Sequence, residues 1–131
     1  MAKFVTEGLN RIVDILFGAQ AVDATLYLGL YTNATEPALS AGLSGLTEPP
    51  GNGYARIPLT RGSWILLGAL ATYASQVFNN SGTNWGDIRG SFICTTVTGT
   101  SGKLLSVDHL AQAIAVADGE SMTVLPKMQL S

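Results

Sequence analysis

The segment Thr25-Leu-Tyr-Leu-Gly-Leu-Tyr31 alternates so that neither of its faces is polar: Leu26, Leu28 and Leu30 point one way, Tyr27, Gly29 and Tyr31 the other. A strand apolar on both sides has to be covered on both sides. The cover is expected from a second sheet together with an N-terminal helix, or from a neighbouring subunit. The same period of two returns in Tyr54–Thr60, where Ala55, Ile57 and Leu59 oppose Tyr54, Arg56 and Thr60. Pro58 cannot donate to a strand ladder, which predicts an edge or bulged position. Between these strands runs a polar loop, residues 32–53, carrying Pro37, Pro49 and Pro50. Its length makes it a candidate for reaching a partner.

Upstream the period is helical. Val5, Leu9, Ile12, Val13 and Leu16 share one face, and Glu7, Asn10, Arg11 and Asp14 lie off it, predicting a helix from about Thr6 to Phe17. Thr6 is the expected N-cap, and Gly18 the expected left-handed residue closing the helix. The stripe is expected either to cover the chain's own sheet or to meet other subunits. Downstream, strands are expected over 72–78, 88–96, 103–110, 111–116 and 122–130, separated by turn-forming clusters such as Asn79-Asn-Ser-Gly-Thr-Asn84 and Thr98-Gly-Thr-Ser-Gly102. The run Trp64–Ala71 reads equally as a buried strand or a short helix. The expected fold is therefore mainly β, an antiparallel β-sandwich or jelly-roll-like barrel with one N-terminal α-helix. It forms a single domain over 1–131, with the helix in 1–20 and the sandwich in 24–131.

Composition narrows the function. Charged residues make up 12% of the chain, against about 25% in an average globular domain, so the surface is poor in charge. With 7 basic and 9 acidic residues and no basic cluster, nucleic acid is not an expected partner. The longest apolar run, Trp64–Ala71, is less than half the roughly 20 residues of a membrane-spanning helix, so no membrane is expected either. Charged and amide residues interrupt the N-terminal apolar pattern, which does not read as a signal peptide. The N-glycosylation patterns at Asn33 and Asn79 carry little weight without a secretory route.

Catalysis finds few parts. His109 is the only histidine, and Asp108, its neighbour in a predicted strand, points to the opposite face. Cys94 is the only cysteine, which excludes an intrachain disulfide, and it reads as a buried, inert thiol. No phosphate-cradling or calcium-binding loop is present, so catalytic residues, cofactors and metals are all expected to be absent. Core packing is the default role of the aromatic residues. The alternative is that some anchor contacts with another subunit, as aromatics and arginine do at interfaces. Tyr27, Tyr31, Pro49, Pro50, Asn52, Tyr54, Arg56 and Trp85 are the candidate interface residues.

The words Leu26-Tyr-Leu-Gly-Leu-Tyr-Thr-Asn33, Leu46-Thr-Glu48, Gly53-Tyr-Ala-Arg56, Leu59-Thr60, Trp64, Trp85-Gly86 and Leu104-Leu105 occur in that order. Over about residues 25 to 110 the chain resembles small tailed-bacteriophage virion proteins. It departs from them in Ile88-Arg-Gly-Ser-Phe92, where a more apolar strand is expected. The resemblance implies a structural component of the virion, synthesised in the host cytoplasm. The first expectation is a capsid decoration, or cement, protein bound as a trimer across boundaries of the major capsid protein. The alternatives are a tail, neck or fibre-associated protein and, in another class, a carbohydrate-binding β-sandwich with an aromatic stacking platform.

Overall fold

The computed structural model describes residues 2–50 and 53–129. In chain order the elements are β1 (Ala2–Phe4), α1 (Thr6–Phe17), β2 (Thr25–Tyr31), a 3-10 turn (Leu43–Gly45), β3 (Ile57–Thr60), β4 (Ile65–Leu67), β5 (Leu70–Thr72), β6 (Gln76–Asn79), β7 (Asp87–Cys94), β8 (Leu104–Ala115), β9 (Ser121–Val124) and β10 (Lys127–Gln129). One sheet has five strands in the order β1-β8-β7-β2-β3, all antiparallel. Facing it are a three-stranded sheet, β10-β5-β4, and a two-stranded one, β6-β9. The fold is the expected mainly-β sandwich with a single helix among the described residues.

Both faces of β2 are buried, as its alternation demands, but by different material. Leu28 and Leu30 join Phe78, Trp85, Ile88, Ile93, Val116 and Met122 between the sheets. Tyr31, with Val5, Phe92, Cys94, Leu104 and Val107, forms a second cluster on the other face. That second cluster is closed by the chain's own loop 32–53, through Leu43, Ala41 and Leu46. The loop therefore folds back instead of reaching outward. The physical reason is that Leu43, with Ala41 and Leu46, is apolar enough to be drawn against the tyrosine face, while Pro37 and Pro49 are buried as well.

β7 is where the chain departs from the expected apolar strand. Gly90 lies under the ring of Tyr31, and any side chain there would collide with Tyr31 Cζ. Pairing is irregular between Ile88 and Gly90, and again between Ile93 and Cys94. The first of these irregularities lets Ile88 and Ile93, an odd number of residues apart, serve the same cluster.

The helix spans its expected residues, but its ends are built differently. Val5 is the N-cap, extended and without a side-chain cap; the Thr6 N–H, one of the helix's unpaired first-turn donors, is satisfied by Leu39 O of the loop (2.8 Å). Gly18 is extended (φ −105°) rather than left-handed, its N–H donates to Asp14 O, and the chain bends there to bring Asp23 back to Arg11 at 2.8 Å. Gly8 lets α1 lie against β8, since a Cβ there would strike Leu105 O.

Four expected strands are redrawn. The segment 72–78 is split between β5 and β6, and 122–130 between β9 and β10 at buried Pro126, each pair lying in different sheets. Residues 103–110 and 111–116 merge into β8, twelve residues long. Trp64–Ala71 is neither buried strand nor helix but a hairpin, β4-β5, turning at Gly68-Ala69. Pro58 sits on the edge strand β3, as expected. No helix among the described residues is long and apolar enough to cross a membrane.

Candidate interaction surface

β3 begins only at Ile57, so β2 loses its strand partner on that side beyond Leu28. Side chains take over the ladder. The Tyr54 hydroxyl accepts the Leu30 N–H (3.0 Å) and donates to Glu48 Oε1 (2.6 Å). Thr32 N–H donates to Thr47 O (2.8 Å), and the Asn33 amide bridges Gly45 O and the Thr47 N–H (2.9 and 2.8 Å). The loop is thus laced to the strand residue by residue.

Arg56 locks this lacing to the far end of the sheet. It is only 7% exposed and meets Glu48 as a fork, Nε to Oε1 and Nη2 to Oε2, each at 2.9 Å. Its remaining donors reach Thr96 O (3.0 Å) and Gly99 O (2.8 Å) in the turn between β7 and β8, and its guanidinium lies 5.3 Å from the Phe92 ring centroid. Burial alone would lower the Arg56 pKa, but the Glu48 hydrogen bonds and nearby charge hold it above its ordinary value. Burial, reinforced by the Glu48 hydrogen bond, pushes the Tyr54 phenol far up. Burial likewise raises Tyr31 and Cys94, which argues against a reactive thiolate at Cys94.

Most candidate interface residues fall inside this architecture. Tyr31, Pro49, Arg56 and Trp85 are buried in the protomer and have almost no surface to offer another chain. Tyr54 is half-buried against Phe78 and Trp85, with ring centroids 6.0 and 5.7 Å away. These side chains hold the loop and core. The stacking platform required by the carbohydrate reading is not formed by Trp85 or Tyr54, because Trp85 is buried and the Tyr54 ring stacks on Phe78 and meets Trp85 edge-on. Tyr27 is half-buried on the second cluster, Pro50 is exposed, and Asn52 lies outside the described residues. His109 Nδ1 lies 2.9 Å from the Tyr31 hydroxyl in a stacked pair, and Asp108 occupies the adjacent position in the β1 and β7 registers. No group of three or more His, Cys, Asp or Glu among the described residues could hold a metal ion.

The open surface lies elsewhere. Ile65, Leu66 and Leu67 of β4 are 67% to 78% exposed, although adjacent strand residues point to opposite faces. Both faces of β4 are bare, whereas β5 is half-buried. Leu9, Val13, Leu16 and Phe17 of α1, and Val22 after it, are exposed as well. An apolar groove of about 310 Å³ runs between helix and hairpin, lined by Ile12, Ile15, Val22, Leu26, Trp64 and Met128 among others. Of the expected stripe only Val5 is buried and Ile12 half-buried; the covered side of α1 is completed by buried Gly8 and half-buried Ile15, which the stripe did not include. A sequence signal for the hairpin exists: no Asp, Glu, Lys or Arg occurs from Gly62 to Gly86.

A charge-poor sandwich with a pinned loop and an uncovered apolar face is a body made of surfaces, and the family comparison defines its class as bacteriophage virion structural protein. Residues 4–130 match the family model described as "Podophage GP4 fiber I protein gp80", and the chain belongs to that family. None of the curated proteins compared with the chain matches it.

Proposed function

We propose that this protein is a fibre-associated structural component of the virion, working by contact with other virion proteins and with further copies of itself, as a trimer. The match to a fibre family over residues 4–130 carries this reading. Its role is mechanical rather than catalytic: a rigid sandwich, with its longest loop fastened by Arg56 and Tyr54, presents a low-charge surface whose burial costs little desolvation. The compact form suits a joint or collar better than a shaft, since the helix is 12 residues long and the longest strand also 12.

That same compactness favours a second reading, the capsid decoration protein, in which many copies bridge boundaries of the major capsid protein and sum modest contacts. Copy number separates the two. Quantitative mass spectrometry of purified virions should find on the order of six to a few tens of copies if the protein serves one symmetric vertex. Hundreds of copies, retained on DNA-free shells, would instead make it a decoration protein.

A further inference from the structure

We propose that the five-stranded sheet binds one ordered water on its inner face, under the link between β9 and β10, through the hydroxyls of Ser91 and Ser106. In the β7-β8 register Ser91 lies opposite Asp108 and Ile93 opposite Ser106, so these four side chains point the same way. Ile93 packs in the cluster between the sheets, which puts both serines on that inner side. They are 8% and 3% exposed. A hydroxyl buried to that degree is costly without a hydrogen-bond partner, so each one calls for a partner.

The protein does not supply it. Neither hydroxyl bonds to another described residue, yet no side-chain polar atom sealed from solvent among them lacks a partner. Both oxygens therefore open onto accessible space. That space is a cavity of about 10 Å³ lined by Ser91, Ser106 and Asp108, with Leu28, Ile93 and the Leu125-Pro-Lys127 link as its other walls. It has room for a single water and for no organic ligand. Register explains why a bridge is needed: Ser106 stands diagonally from Ser91, two residues from the direct partner Asp108. Diagonal side chains have Cβ atoms roughly 7 Å apart, too far for two hydroxyls to meet and close enough for one molecule to join them. With the Asp108 carboxylate on the same wall, the site offers the two to four polar groups that buried waters use. Lys127, also in the wall, disfavours a cation there.

The site gives a reason for the polar residue in Ile88-Arg-Gly-Ser-Phe92, where a more apolar strand is expected. Its cover is buried Pro126, whose carbonyl is fixed by the Tyr73 N–H at 3.0 Å, at the point where the chain passes from the two-stranded sheet to the three-stranded one.

The test uses the purified full chain, Ser91→Ala, Ser106→Ala and the double variant. A crystal structure that resolves ordered solvent should show one peak within about 3.2 Å of both hydroxyl oxygens in the wild type and none in the double variant. In urea unfolding each single variant should lower the folding equilibrium constant about fivefold, through the lost bridge. The double variant should lose clearly less than the product of the two, since both substitutions break the same bridge. Dry hydroxyls act in the opposite sense, because deleting an unpartnered buried polar group stabilises. Alanine variants as stable as the wild type or more so, multiplicative losses, or no peak in the wild type would each overturn the proposal. So would a peak with oxygen neighbours at about 2.4 Å, the distance at which a hard cation binds.

Discussion

Replacing Arg56 by Met keeps most of the aliphatic stem and removes the guanidinium at the centre of the loop clamp. The wild-type side chain is 7% exposed and satisfies both Glu48 oxygens, Thr96 O and Gly99 O. Removing one partner of a buried ion pair costs about 3–5 kcal/mol, because the other charge and its acceptors are left behind. The Glu48 side chain is 29% exposed and keeps the Tyr54 hydroxyl, so water recovers part of that loss and the low end, about 3 kcal/mol, applies. For 131 residues this corresponds to a fall in Tm of roughly 10 °C. Thermal unfolding followed by tryptophan fluorescence reads it directly, since Trp85 lies beside Tyr54. Glu48→Gln, alone and combined with Arg56→Met, completes a double-mutant cycle, and the double variant should lose at least about 1 kcal/mol less than the sum of the singles. A loss below about 1 kcal/mol for Arg56→Met, or strict additivity, would refute the idea that the clamp holds the loop on the sheet.

Gly90→Val should destabilise by several kcal/mol, or prevent folding, because the new side chain would occupy the space of the Tyr31 ring; chemical denaturation of soluble protein checks this. Trp85→Ala, at a side chain 1% exposed, should cost about 3–5 kcal/mol, and an unchanged urea midpoint would contradict its place in the core. Stability should also fall at alkaline pH. Burial raises the folded pKa of Tyr54 and Tyr31, so their contribution is fully present below the ordinary phenol value of about 10 and is lost above it, as the unfolded phenols ionise while the folded ones keep their protons. A urea midpoint that stays flat from about pH 8 to about pH 11 would count against that burial. Asn33→Ala should lower stability by about 1 kcal/mol or more through the lost bridge between Gly45 O and the Thr47 N–H, visible as faster amide exchange at Thr47.

Local pattern was enough for several elements. The helical period gave Thr6–Phe17 its bounds, and the missing donor of Pro58 put β3 on an edge. The two apolar faces of β2 required a layer on either side, whatever the rest of the chain did. Side-chain period and backbone donor count are properties of neighbours in the chain, so they can be read before anything has packed.

The choice of cover is another matter. Nothing local to Tyr54 or Arg56 distinguishes an interface anchor from a clamp. The difference is made by Leu30, 24 residues away, and by Thr96 and Gly99, 40 and 43 residues away. The long loop has the polarity of a reaching segment, yet Leu43, Ala41 and Leu46 are drawn down because β2 exposes a tyrosine face beside them. Conversely, Ile65-Leu-Leu67, the most core-like words in the sequence, stand in solvent because no layer of the same protomer arrives over the β4-β5 hairpin. Hydrophobicity sets how much a segment gains from burial, and only the assembled sheets decide which segments obtain it within the chain and which stay exposed.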